Sequence, residues 1–108
     1  MAQYNELLRG TLDLMVLRTL ELQPLHGVAI ADRIEQVSGG RFAVQPGSLF
    51  PALHRLEHQG WIRGEWLKAE GSRRKCYALT ASGRRQLAQE RRNWNRTVAA
   101  MECVLREA

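Results

Sequence analysis

A chain of 108 residues, 44% of them hydrophobic, has material for one small domain with its own core and none to spare for a second. Sixteen lysines and arginines against eleven acids leave a formal charge of +5, which favours a polyanionic partner. Cys76 and Cys103 lie far apart and outside any CxxC spacing, which excludes a disulfide framework and a zinc knuckle.

In chain order, Leu8, Leu12, Met15, Val16 and Leu20 space as one face of a first helix that ends before Pro24. Arg9, Asp13 and Arg18 interrupt that apolar run, so it reads neither as the core of a signal peptide nor as a membrane span. A cytoplasmic protein with no membrane partner is the expectation. A second amphipathic helix opens at His26 and Gly27 and runs through Val28, Ile30, Ala31, Ile34 and Val37 to the Ser38-Gly39-Gly40 breaker.

Residues 45–62 read QPGSLFPALHRLEHQGWI and form the most informative stretch. Pro46, Gly47 and Ser48 punctuate a helix start, Ser48 is the expected N-cap, and Pro51 restricts where the helix begins. Leu49, Ala52, Leu53 and Leu56 make one apolar stripe, which leaves Ser48, His54, Arg55 and His58 projecting elsewhere. Gly60 supplies the stop. A hairpin follows, with arms from Trp61 to Leu67 and Lys75 to Leu79 around a Glu70-Gly71-Ser72 turn, carrying Lys68, Arg73, Arg74 and Lys75.

Thr80 and Ser82 offer caps for a last helix that runs nearly to the C-terminus. Along it Leu87, Trp94, Val98, Met101 and Leu105 fall at alternating four- and three-residue steps once Arg91 fills the missing position, a short coiled-coil-like seam. A small domain leaves part of such a stripe bare, and a homodimer through this helix is the economical way to bury it. Positive charge follows the same division. Residues 1–40 carry three basic against five acidic side chains, residues 41–75 seven against three, and the remainder six against three.

The pieces LLRGTLDLMVLRTL, HGVAIADRIE, PGSLFPALHRLEHQGWI, RRKCYALT and TASGRRQL, in this order over nearly the whole chain, resemble the PadR-type winged-helix transcriptional regulators of the small class with one C-terminal dimerisation helix. The resemblance implies a mainly α fold with a small β-hairpin wing. Residues 1–80 would form a winged helix-turn-helix DNA-binding domain, and residues 81–108 a C-terminal dimerisation helix packed on it. It also implies a homodimer whose third helix enters the major groove of an inverted-repeat operator while the wing reaches the minor groove or phosphates. Repression relieved by a small effector is the usual outcome in that family. Phe50 and Val28 depart from the tyrosines usual at those positions. A phenyl ring at Phe50 can still meet a sugar or a thymine methyl.

The expected DNA-binding residues are therefore Gln45, Ser48, Phe50, His54 and Arg55 on the third helix, with Lys68, Ser72, Arg73, Arg74 and Lys75 on the wing. A solvated helix face and an ordinary charged hairpin tip are the plain alternatives. Arg84, Arg85, Arg91 and Arg92 read first as a solvated face, with flanking phosphates as the alternative, and Arg9 is similar. Leu87, Trp94, Val98, Met101 and Leu105 are the expected dimer interface. Trp94 is also a candidate for stacking on a flat aromatic effector between protomers.

His54, Glu57 and His58 spell H-x-x-E-H, a metalloprotease-type string. No partner motif supplies a third ligand, so no catalytic set, metal or cofactor is assigned. A non-specific nucleic-acid module and a winged-helix protein-interaction adaptor stand as alternatives to the regulator, and an enzyme ranks last.

Overall fold

The computed structural model describes residues 2–69 and 71–107, the side chains of residues 2–9, 69 and 72 excepted. The expected turn residue Glu70 and the side chains of Leu8, Arg9 and Ser72 fall outside the described parts. The elements are α1 (Ala2–Leu22), β1 (Leu25–His26), α2 (Gly27–Val37), α3 (Pro46–His58), β2 (Ile62–Ala69), β3 (Ser72–Leu79) and α4 (Ala81–Glu107). One antiparallel sheet in the order β1-β3-β2 completes a winged helix-turn-helix.

The core sits where apolar stripes at helical spacing converge. Val16, Leu17 and Leu20 of α1 meet Ile30 and Ile34 of α2 and Leu49, Leu53 and Leu56 of α3, all at most 2% exposed. Ile62, Tyr77 and Leu87 close it from β2, β3 and α4. Burying such side chains stabilises the fold by roughly 1.5–3 kcal/mol each before chain entropy is subtracted.

α3 begins three residues earlier than Ser48 predicts. Gln45 is its N-cap, its carbonyl accepting from Ser48 N–H at 3.0 Å and Leu49 N–H at 2.9 Å, and Pro46 takes the first turn. Proline has its φ already set for that place and lacks only an N–H that would be unpaired there anyway. Pro51 consequently lies inside the helix, where the Gly47 carbonyl loses its intrahelical donor and faces solvent at an exposed position.

The far end stops sharply. Gly60 adopts φ 79°, its N–H donates to Glu57 O at 3.0 Å, and Trp61 N–H donates to Leu56 O at 3.0 Å. This paired closure is the Schellman arrangement, and the left-handed residue in it strains any side chain but glycine's absence of one.

Thr80 rather than Ser82 caps α4. Its Oγ1 accepts from Gly83 N–H at 3.0 Å and donates to Gly60 O at 2.7 Å, so one hydroxyl starts α4 and ties it to the corner after α3. Both wing strands run further towards their turn than the sequence pattern suggests, pairing from Ile62↔Leu79 to Ala69↔Ser72. Lys68, Arg73 and Arg74 therefore lie on strands rather than at a loose tip.

Candidate nucleic-acid interface

With its stripe buried, α3 turns Gln45, Ser48, Phe50 and His54 outward. The wing stands beside that face. Strand alternation puts Gly64, Trp66 and Lys68 of β2 on one side of the hairpin with their register partners Tyr77, Lys75 and Arg73 of β3. Arg73 stacks its guanidinium 4.8 Å above the Trp66 ring, and the Lys75 ammonium lies 5.8 Å from Trp66 and 5.5 Å from Tyr77.

A three-part tie fixes the wing to α3. Lys75 Nζ donates to Glu57 Oε1 at 2.8 Å while Gly64 N–H donates to Glu57 Oε2 at 3.2 Å. A Cβ at residue 64 would come within 2.3 Å of Lys75 Cε and 2.8 Å of Glu57 Oε2, so glycine leaves the space through which the pair forms. Hydrogen bonding to Lys75 holds the Glu57 carboxyl below its ordinary range, although burial opposes this; the same bond raises Lys75. Burial pushes the Tyr77 phenol up, so it stays neutral beneath the ammonium.

Two of the expected DNA residues are paired within the protein. Arg55 reaches back to α1, its guanidinium 2.8 Å from Asp13 Oδ1 with side chains 35% and 16% exposed. Lys75 is likewise committed to Glu57. The carboxylate of the H-x-x-E-H string is thus spent on the wing, and no cluster of three or more potential metal ligands occurs among the described residues. Lys68, Arg73 and Arg74 remain exposed. The wing also held a residue the sequence reading passed over: Trp66, 56% exposed, whose place opposite Lys75 follows from the strand register.

On α4, Leu87 departs from the expected seam, since at 2% exposure it belongs to the protomer's own core. Trp94, Val98, Met101 and Leu105 are exposed, joined by Val104. Trp94 borders two grooves against α1, of about 120 Å³ and 310 Å³. Among the described residues no helix is long and apolar enough to cross a membrane.

The model of the transcriptional regulator PadR-like family matches residues 16–89, the span holding the core, α3 and the wing. The chain belongs to the PadR-like family of transcriptional regulators. A transcriptional regulator of Mycobacterium tuberculosis, Rv3488, is 32% identical to this PadR-like chain over 88 residues, 82% of this chain and 79% of its own. The structure of a PadR family transcriptional regulator from Eggerthella lenta is similar at TM-score 0.83 with 28% identity, covering 99% of this chain and 92% of that one. Bacillus subtilis PadR, solved in complex with operator DNA, shares the fold at TM-score 0.66 and 24% identity over 73% of this chain and 44% of its own. The family and the Mycobacterium tuberculosis relative are both described as regulators of transcription.

Proposed function

We propose that this PadR-like protein is a homodimeric repressor that binds an inverted-repeat operator in double-stranded DNA. The observation that carries the reading is the juxtaposition of the outward α3 face, Gln45, Ser48, Phe50 and His54, with the exposed cations Lys68, Arg73 and Arg74 of a wing tied beside it through Glu57 and Lys75. α3 would read base edges in the major groove, and the wing cations would sit on phosphates or in the minor groove. Ser72 belongs to the same strand, and the reading includes it as a phosphate contact.

The second copy docks through Trp94, Val98, Met101 and Leu105 of α4, which would place the two reading helices about one DNA turn, roughly 34 Å, apart. An aromatic effector stacking on Trp94 between the copies would act only through different affinity for two arrangements of the heads. The cytoplasm is the compartment this reading requires.

The test is fluorescence anisotropy on the gene's own promoter against scrambled DNA of equal length, titrated across salt. Preference for the promoter that survives moderate salt is expected, together with a slope shallower by about 3.6 in Arg73→Ala plus Arg74→Ala, at roughly 0.9 per phosphate contact and two contacts from each protomer of the dimer. Equal binding to both duplexes, or an unchanged slope in the double variant, refutes it.

A further inference from the structure

We propose that Trp66 is a positioning residue for DNA: its ring holds the Arg73 guanidinium in one place on the wing, so that the wing selects duplexes whose minor groove is narrow. The role rests on the DNA-binding reading above and names the feature of the duplex that the wing distinguishes.

Strand register brings the pair together. Trp66 faces Lys75 and Lys68 faces Arg73, so Trp66 and Arg73 are diagonal neighbours on one side of the hairpin, a spacing that a large ring and a long side chain can bridge. The guanidinium carbon lies 4.8 Å from the ring centroid, and the Lys75 ammonium lies 5.8 Å from the same centroid. These two cations differ in what else they touch. Lys75 donates to Glu57 at 2.8 Å and so ties the ring's surroundings to α3, whereas Arg73 is exposed and has no ion pair among the described residues. The ring therefore joins a cation committed to the protein with one left for DNA.

Burial does not account for an indole here. Trp66 is 56% exposed and stands outside the hydrophobic core, while its π face is the best platform among side chains for a cation. An arginine loose on a solvated strand samples many rotamers, and ordering it on binding costs affinity; a stacked one has lost much of that freedom beforehand. Of the exposed wing cations Lys68, Arg73 and Arg74, Arg73 is the one stacked on a ring among the described residues.

Shape is what such a held cation reads. The minor groove offers a degenerate pattern of base acceptors, but its width follows sequence: A-tracts narrow it and concentrate negative potential there, whereas a TA step is flexible and easily deformed. A loose cation follows phosphates wherever they lie. A guanidinium held in one place has both phosphate walls near it only where the groove is narrow.

The test is fluorescence anisotropy of the full-length protein on two duplexes of equal length and identical flanks, one centred on AAAATTTT and the other on TTTTAAAA. They share base composition, charge and minor-groove acceptors, and differ in the central TA step that interrupts the A-tract of the second. Wild-type protein should prefer AAAATTTT by at least about threefold. In Trp66→Leu the ratio should fall to about one with the salt slope unchanged, because no charge is lost. Arg73→Ala should lose the ratio and also about 1.8 of the slope, one contact from each protomer at roughly 0.9 apiece. Trp66→Tyr, which keeps an aromatic face, should retain the preference. α3 is the same in every variant, so its own base contacts cancel in these comparisons. The amide spectrum of ¹⁵N-labelled protein reports whether each variant is folded, and Trp66→Thr, suited to an exposed strand, takes the place of Trp66→Leu should that unfold. Full preference in the folded leucine or threonine variant, or a preference lost there together with slope, overturns the role of Trp66. Wild-type protein that binds both duplexes equally overturns it too and leaves the regulator reading standing, whereas protein that binds neither refutes both.

Discussion

Replacing Glu57 by glutamine should loosen the wing from α3 while leaving both folded. The amide oxygen can still accept from Gly64 N–H, so what the change removes is the charge facing Lys75 at 2.8 Å. The two side chains are 31% and 24% exposed, which places the pair between a fully solvated salt bridge, worth about 0.2–1 kcal/mol, and a buried charged hydrogen bond at about 1.5–3 kcal/mol. A coupling of about 1 kcal/mol is the expected size. The assay is a double-mutant cycle of Glu57→Gln and Lys75→Met followed by urea unfolding.

The pH dependence has a definite sign. The carboxyl of Glu57 is held below its ordinary 4.5, so its contribution is complete above that value and is lost as pH falls through the depressed folded one. Lys75 is raised above 10.5, so its contribution is complete below that value and is lost as pH rises through the elevated one. Coupling should therefore be flat across the window between and collapse on both sides. A coupling under about 0.2 kcal/mol near pH 7, or one that persists in acid after Glu57 has protonated, would refute the tie.

Gly83→Ala should destabilise by about 3 kcal/mol and lower Tm by more than about 10 °C, because the new Cβ would lie 1.9 Å from Trp61 O and 2.7 Å from Leu79 Cδ1, and backbone cannot step aside. Thermal unfolding checks it; a loss below about 1 kcal/mol would mean that the α4 corner yields. Arg55→Met should cost stability, about 1 kcal/mol in urea unfolding, yet leave the salt slope of DNA binding as it is. A slope reduced by about 1.8, one contact from each protomer of the dimer, would show that Arg55 meets a phosphate after all. Met101→Asp, at a position 53% exposed, should yield a folded monomer by sedimentation; a persistent dimer would place the interface elsewhere.

Periodicity made the helices and the α3 stripe legible, because Leu49, Leu53 and Leu56 recur at the spacing the core demands. It could not see β1, whose two residues are too few to alternate and become a strand only through pairing with Tyr77 and Cys76. The start of α3 falls three residues before Ser48 because proline's preset backbone outweighs a serine hydroxyl there. Arg55 and Lys75 looked like free cations because their partners are 42 and 18 positions distant. Asp13, set between Leu12 and Leu14 in the apolar run of α1, is the available hint that some cation comes to meet it. Leu87 fitted the heptad steps as well as Trp94 did, and only the three-dimensional packing shows that one faces inward and the other out.

α4 is 27 residues long, about 40 Å at 1.5 Å per residue, and every residue from 91 to 107 on it is exposed. A helical segment of that length is marginal in water unless something covers its apolar side. In the proposed dimer the second copy supplies that cover, so diluting the protein should lower its helical circular dichroism while the amide signals of α2 and α3 hold steady. The concentration at which that happens would measure association without any label or partner.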